Sequence, residues 1–160
     1  MQLPSTEMSA SIQLLQFNVN VQRYAMALGA IECVVRAVEL NALPGAPRVI
    51  RGIFNLHGRI VPVGDLRRRM GLPDKEIYLG DRIVVARTPS RVLGVLTDGD
   101  TDILACAAPD IVAMATVLRE STAIEGIGRL SDGLILIQNL AKFLSIEEEF
   151  ELDEALNGNR

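Results

Sequence analysis

The sequence predicts a mainly β protein, two small β-barrels packed together with only a few short helices. Three features of the chain lead there. Its 160 residues divide into short apolar runs separated by Gly, Pro, Asn and Asp. Composition is 49% hydrophobic but only 4% aromatic, with no tryptophan, so the core must be built from Val, Ile, Leu and Ala. One unit is also written twice, Ile50–Met70 (IRGIFNLHGRIVPVGDLRRRM) returning 74 positions later as Ile124–Leu144 (IEGIGRLSDGLILIQNLAKFL).

The two copies align without gaps. Ile50, Gly52, Ile53, Leu56 and Leu66 recur as Ile124, Gly126, Ile127, Leu130 and Leu140, and Asp65 meets Asn139 at the same position, just before a helix. Five identities in 21 positions are modest. The agreement of apolar pattern and cap is the stronger part, and it implies a fold in two related parts.

Taken in order, residues 1–10 read as a flexible start. Ser11–Val19 suits a strand, with Gln22–Leu28 as its hairpin partner. Gly29–Val38 reads as a turn passing into a strand, because its β-branched content outweighs its helical spacing. Leu43-Pro44-Gly45-Ala46-Pro47 is a shaped loop, since two prolines remove donors. Ile50–Phe54 and Arg59–Val63 form a hairpin around His57-Gly58, and Pro62 puts the second strand at an edge or interrupts its pairing. Asp65 caps a helix over Leu66–Met70 that carries Arg67, Arg68 and Arg69 towards its C-terminus, where Gly71 and Pro73 stop it.

Residues 74–81 connect to a second hairpin, Arg82–Arg87 with Val92–Thr97. Asp98-Gly99-Asp100 reads as a turn, after which Thr101–Ala105 forms a separate strand. Pro109–Val117 fits either a strand or a short helix. The second copy of the unit follows, with a helix over Leu140–Leu144 capped by Asn139. Ser145 and Glu148 have capping-box spacing, which starts a final acidic helix over about residues 146–155.

Charge is unevenly placed. Residues 147–160 hold six of the 20 acids against Arg160, so the rest of the chain balances 15 basic with 14 acidic groups. A nearly neutral body argues against a general nucleic-acid or anionic-membrane surface. Cys33 and Cys106 are far apart and lack any metal-ligand spacing, which suits buried thiols in a reducing compartment. The chain shows neither a signal peptide nor a membrane-length apolar run, so a cytoplasmic location is expected.

No reactive constellation stands out. His57 is the only histidine, and no motif sets a Ser, Cys or carboxylate beside it, so a turn residue is favoured over a small-ligand or enzymatic site using His57. Asp98 and Asp100 could bind a metal, but turn chemistry explains them more simply. The glycines form no phosphate cradle, and no cofactor is expected. Arg48, Arg51, Arg59, Arg67, Arg68 and Arg69 have only Asp65 near them in sequence. Such a run reads as a solvated face, as a surface for an acidic protein segment, or, less favoured without aromatics, as an RNA-binding patch.

The stretch Leu43-Pro44, Ala46-Pro47, then Ile50 through Val63 and Asp65-Leu66-Arg67, resembles the signature of CheW-type coupling proteins. The likeness continues through Leu93–Asp98 and the Leu134–Ile137, Asn139-Leu140 and Phe143-Leu144 segments, nearly the whole chain. It implies a domain over residues 11–146 of two intimately packed, five-stranded, SH3-like β-barrel lobes, followed by an acidic helix or tail over 147–160. The expected role is a non-catalytic adaptor between a chemoreceptor cytoplasmic tip and the regulatory domain of a CheA-type histidine kinase, in chemosensory signal transduction. Such a protein would be mostly monomeric alone, work within a larger assembly and make no direct membrane insertion.

Carried over to matching positions, the resemblance puts Ile31, Val34, Gly52 and His57 on the receptor-facing side, an apolar groove between the lobes. Gly52→Trp is then expected to weaken receptor binding with the fold intact. Three departures mark the chain: His57 replaces an Arg, Cys33 stands where Glu is usual, and Thr97 and Asp100 replace apolar residues around Asp98-Gly99. They are compatible with a divergent chemosensory system, for example one serving type IV pili or surface sensing.

Overall fold

The structure, a computed structural model, describes residues 11–113 and 124–158. Ten strands dominate it: β1 Ser11–Val19, β2 Gln22–Ala27, β3 Ile31–Arg36, β4 Ile50–Leu56, β5 Arg59–Gly64, β6 Arg82–Arg87, β7 Val92–Ala107, β8 Ile111–Ala113, β9 Ile124–Leu130 and β10 Gly133–Gln138. Two α-helices accompany them, α1 Leu66–Arg69 after β5 and α2 Ile146–Gly158 at the end. Neither is long and apolar enough to cross a membrane.

The strands form two barrels of the same design. In the first lobe, β3 pairs antiparallel with β6, β6 antiparallel with β7, β7 parallel with β5, and β5 antiparallel with β4. In the second, the far half of β7 pairs antiparallel with β1, β1 antiparallel with β2, β2 parallel with β10, and β10 antiparallel with β9. Each lobe therefore has five strands in one pattern, to which the second adds the short β8, antiparallel to β9. Chain order differs, because the N-terminal hairpin β1–β2 completes the C-terminal lobe and clasps the two halves together.

The sequence echo holds at single-residue level. β9 and β10 span the positions of β4 and β5 moved by 74. Asp65 Oδ1 accepts from the Arg67 N–H at 2.9 Å, and Asn139 Oδ1 from the Ala141 N–H at 3.0 Å, so the two helical turns are capped alike. The second cap starts a single 3-10 turn, Leu140–Lys142, in place of the longer helix expected there. Leu66 and Leu140 both join the shared core.

Three apolar cores follow from this plan. Phe54, Val61, Val63, Ile83 and Val85 fill the first barrel, and Leu14, Ala25, Ile135 and Ile137 fill the second. The largest core lies where the lobes meet, joining Phe17, Tyr24 and Met26 of the second lobe to Val84, Leu93 and Val95 of the first. Phe17 stacks on Tyr24 with centroids 5.8 Å apart. Leu152 of α2 is fully buried in this central core, so the acidic helix is docked on the lobes. It begins with the capping box expected from sequence: the Glu148 N–H donates to Ser145 Oγ, and the Ser145 N–H to Glu148 Oε1.

A second expectation fails. Asp98-Gly99-Asp100 is no turn between strands, for β7 runs unbroken from Val92 to Ala107. Opposite Phe17 of β1 the strand carries three residues, Gly99, Asp100 and Thr101, a bulge that bends it from one barrel into the other. The reason is tertiary. The Gly99 N–H donates to Asp81 Oδ1 at 3.1 Å while Gly99 holds φ +71°, and Asp98 accepts the Asn20 N–H at 2.9 Å. Both aspartates are engaged across the fold, so the strand bends instead of reversing. Pro62 behaves as expected, since β5 joins β7 only from Val63 onward. Of the undecided segment Pro109–Val117, residues 108–110 form a 3-10 turn and Ile111–Ala113 a strand; the remainder lies outside the described residues.

Candidate partner-binding surfaces

The four residues singled out from sequence fall into three different settings. Ile31 and Val34 lie on β3, partly buried and packed against the central core. Cys33 and Val35 point the other way, into the first barrel. A bulge between Ile31 and Cys33 puts Ile31 and Val34 on the same side. Leu28, and Ile124 and Leu136 of the second lobe, are likewise partly buried against this core, at its rim.

Sequence reasoning missed Ile103. It pairs across from Leu15, which is buried in the central core, so its side chain stands on the lobe-facing side of β7. Yet it is 58% exposed. Alternation along the strand would have assigned it a face, but only the tertiary structure shows that this face is left uncovered there.

Gly52 is set apart from this rim. It is buried in β4, and a Cβ there would lie 2.8 Å from both the Asn41 carbonyl oxygen and Leu40 Cβ. The glycine lets the segment after β3 cross β4 and bridge Asn41 to Ile53. Its echo Gly126 lies beside Val112, with 3.1 Å from a Cβ to that carbonyl, where β8 closes the second barrel. The expectation that Gly52→Trp leaves the fold intact is therefore corrected, since the added bulk would meet backbone.

His57 sits exposed at the tip of the β4–β5 hairpin. With φ +53° at His57 and +87° at Gly58, both turn residues are left-handed, as a two-residue hairpin turn requires. Asn55 Oδ1 accepts the Gly58 N–H at 2.7 Å and tightens the tip. The β1–β2 hairpin repeats the device with Asn20 and Val21 at φ +53° and +63°.

The arginine run is a set of internal clamps. Arg67 grips Asp98 with two bonds, at 2.8 and 2.7 Å; Arg51 reaches Asp65 at 2.9 Å and the Lys75 carbonyl at 2.8 Å. Arg68 forks onto Asp74 at 3.0 and 2.8 Å, and Arg69 binds Glu148 at 2.5 Å beneath its contact with the Phe143 ring. Arg59 meets Glu32, which also pairs with Arg87. Hydrogen bonding by Asp98 raises the Arg67 pKa, that by Asp74 raises the Arg68 pKa, and that by Arg59 lowers the Glu32 pKa. Acids from several segments thus engage Arg51, Arg59, Arg67, Arg68 and Arg69, which weakens the solvated, RNA-binding and acid-segment readings of this run; of the six, Arg48 stays exposed without a clamp of this kind among the described residues.

Asp100 pairs with Arg82 at 2.7 Å, so Asp98 and Asp100 serve different partners. Among the described residues no group of three or more His, Cys, Asp or Glu side chains could hold a metal ion. Cys106 is buried, and burial with the nearby Asp110 carboxylate raises its thiol pKa. Thr97 is fully buried, its hydroxyl donating to the Arg82 carbonyl at 3.3 Å.

Comparison with known proteins gives one consistent result. A chemotaxis protein CheW from Rhizobium meliloti is 31% identical over 99 residues, spanning 62% of this chain and 64% of that protein. One from Treponema pallidum is 23% identical over 152 residues, spanning 91% and 89%. The crystal structure of the scaffolding protein TtCheW from Thermoanaerobacter tengcongensis superposes with a TM-score of 0.76 at 24% identity, covering 86% of this chain and 90% of that one. Residues 13–148, both barrels and the start of α2, match the CheW-like domain, and with its doubled barrel and capped repeat the chain belongs to the CheW-like domain family.

Proposed function

We propose that this protein is a chemotaxis scaffold that seats the helical tip of a chemoreceptor along the rim where its two lobes meet, and holds a histidine kinase by that kinase's regulatory domain. It is non-catalytic, like the family to which it belongs. The observation that carries the receptor contact is the rim itself. Ile31 and Val34 of the first lobe and exposed Ile103 of the second offer apolar anchors to the face of an amphipathic helix. His57, at an exposed turn tip, adds a polar contact. Gly52 acts indirectly, by holding β4 against the segment before it.

The kinase regulatory domain, of the same doubled-barrel kind, meets the second lobe end-on. The protein then works in the cytoplasm beneath receptor arrays. Co-purification with a receptor tip and a kinase regulatory domain from the same genome tests the reading. Both are retained by the native chain, and Ile103→Asp releases the receptor tip while the kinase domain stays bound. Retention of neither partner overturns the function, and an unaffected Ile103→Asp overturns the rim.

A further inference from the structure

Beyond the coupling function, we propose that the outward face of α2 docks a basic, apolar-anchored segment of a partner protein. The helix sorts its side chains sharply. Inward, Leu152 and Ala155 are buried, and the acids Glu148, Glu149 and Asp153 are spent on Arg69 and Arg91 of the lobes. Outward, Ile146 and Phe150 stand one turn apart at 90% and 64% exposure, flanked by Glu147, Glu151 and Glu154. Those three carboxylates have no ion pair among the described residues.

Neither half of this face helps α2 itself. Phe17, Phe54 and Phe143 are buried, so Phe150 is the only phenylalanine left to water. Glu147 suits the helix N-terminus, but Glu151 at mid-helix and Glu154 on the C-terminal half gain no such support from the helix dipole. Glu147 and Glu151 also repel at a spacing of one turn. A cationic segment relieves both effects while its apolar anchor covers Ile146 and Phe150. A second copy of this face would add like charges, which favours a basic partner over self-pairing.

Phe150, Glu151 and Glu154 lie outside the segment, residues 13–148, that matches the CheW-like domain. A buried Phe contributes roughly 150–250 Å², well below the roughly 1,000 Å² of an independent interface. The contact is therefore salt-sensitive and supplementary.

The test uses the full chain and a fluorescent amphipathic helix of Leu and Lys as probe, with a Leu and Glu helix as control. The Lys helix binds and weakens as salt rises; Phe150→Ser, and separately Glu147→Lys with Glu151→Lys and Glu154→Lys, each weaken it by about tenfold or more. All these positions are exposed, so each variant keeps a cooperative thermal melt. Reversing Glu39, Glu76 and Glu125, exposed acids elsewhere, alters net charge equally and leaves binding within about twofold. Equal loss in both triple variants, binding of the Glu helix, or unchanged binding by Phe150→Ser overturns the proposal. So does concentration-dependent dimerisation abolished by Phe150→Ser, which makes a second copy the occupant.

Discussion

Gly52→Ala separates two roles for a residue that sequence resemblance assigns to a partner surface. In the structure a Cβ at Gly52 would stand 2.8 Å from the Asn41 carbonyl oxygen and from Leu40 Cβ, about 0.6 Å inside the 3.4 Å at which ordinary contact begins. One of the obstructing atoms is backbone, and Asn41 is held there by reciprocal hydrogen bonds with Ile53 at 2.9 and 2.8 Å. Relief needs the crossing segment to move, which puts the cost in the upper part of the range for overpacking, about 2–3 kcal/mol. For a chain of this size that lowers the melting temperature by roughly 4–12 °C. Gly126→Ala, with 3.1 Å to the Val112 carbonyl, costs less, about 1 kcal/mol. Urea unfolding of both variants with the parent measures the difference. If Gly52→Ala matched the parent in stability yet lost receptor binding, the close-crossing argument would be wrong and Gly52 would be a contact residue.

The Arg67–Asp98 fork ties α1 to the bulge of β7, with both side chains partly shielded from water. A double-mutant cycle with Arg67→Ala and Asp98→Ala should return a coupling of about 1–2 kcal/mol, after discounting for partial exposure; additivity within about 0.3 kcal/mol would deny the clamp. Leu152→Ala, at a fully buried position on α2, should cost about 2–5 kcal/mol, and a smaller loss measured by denaturant would mean that α2 docks through its ion pairs. Acid should loosen the fold through Asp81 and Glu148. Burial alone would push both carboxyls up, but Lys75 with the Tyr78 and Gly99 N–H groups, and Arg69 with Ser145, outweigh it and hold both below their ordinary values. The unfolded chain then binds more protons, so this stability is full above the ordinary carboxylate range and is lost as pH falls through the folded values. Asp81→Asn should flatten the acid limb of a stability-against-pH curve, and an unchanged slope would contradict the assignment. Val21, a β-branched residue at φ +63° and 98% exposed, should gain about 0.5–1 kcal/mol on Val21→Gly, read as a higher melting temperature.

Much of the architecture could be read from residues that act locally. Asp65 and Asn139 cap because each carries an acceptor two residues before an orphan N–H, and the Ser145–Glu148 box closes within one turn. His57-Gly58 reverses the chain because the dipeptide tolerates two left-handed conformations. The repeat of these signals at an offset of 74 already implied two related lobes.

What tertiary structure alone decided lies between residues far apart in the chain. Asp98-Gly99-Asp100 has turn composition, but Arg67, Asn20, Asp81 and Arg82 engage it from elsewhere and convert the turn into a bulge that carries β7 between barrels. Arg59, Arg67 and Arg69 looked free because their acids, Glu32, Asp98 and Glu148, come from other segments, and ion pairing across space leaves no periodic trace along a sequence. Gly52 looked like a surface residue because its obstacle, the Leu40–Asn41 backbone, is brought to it only by barrel closure. Ile103 has the alternation of a core position, yet it stands largely in solvent. Local chemistry set caps, turns and strand faces; which of those faces is covered depended on how the two lobes close on each other.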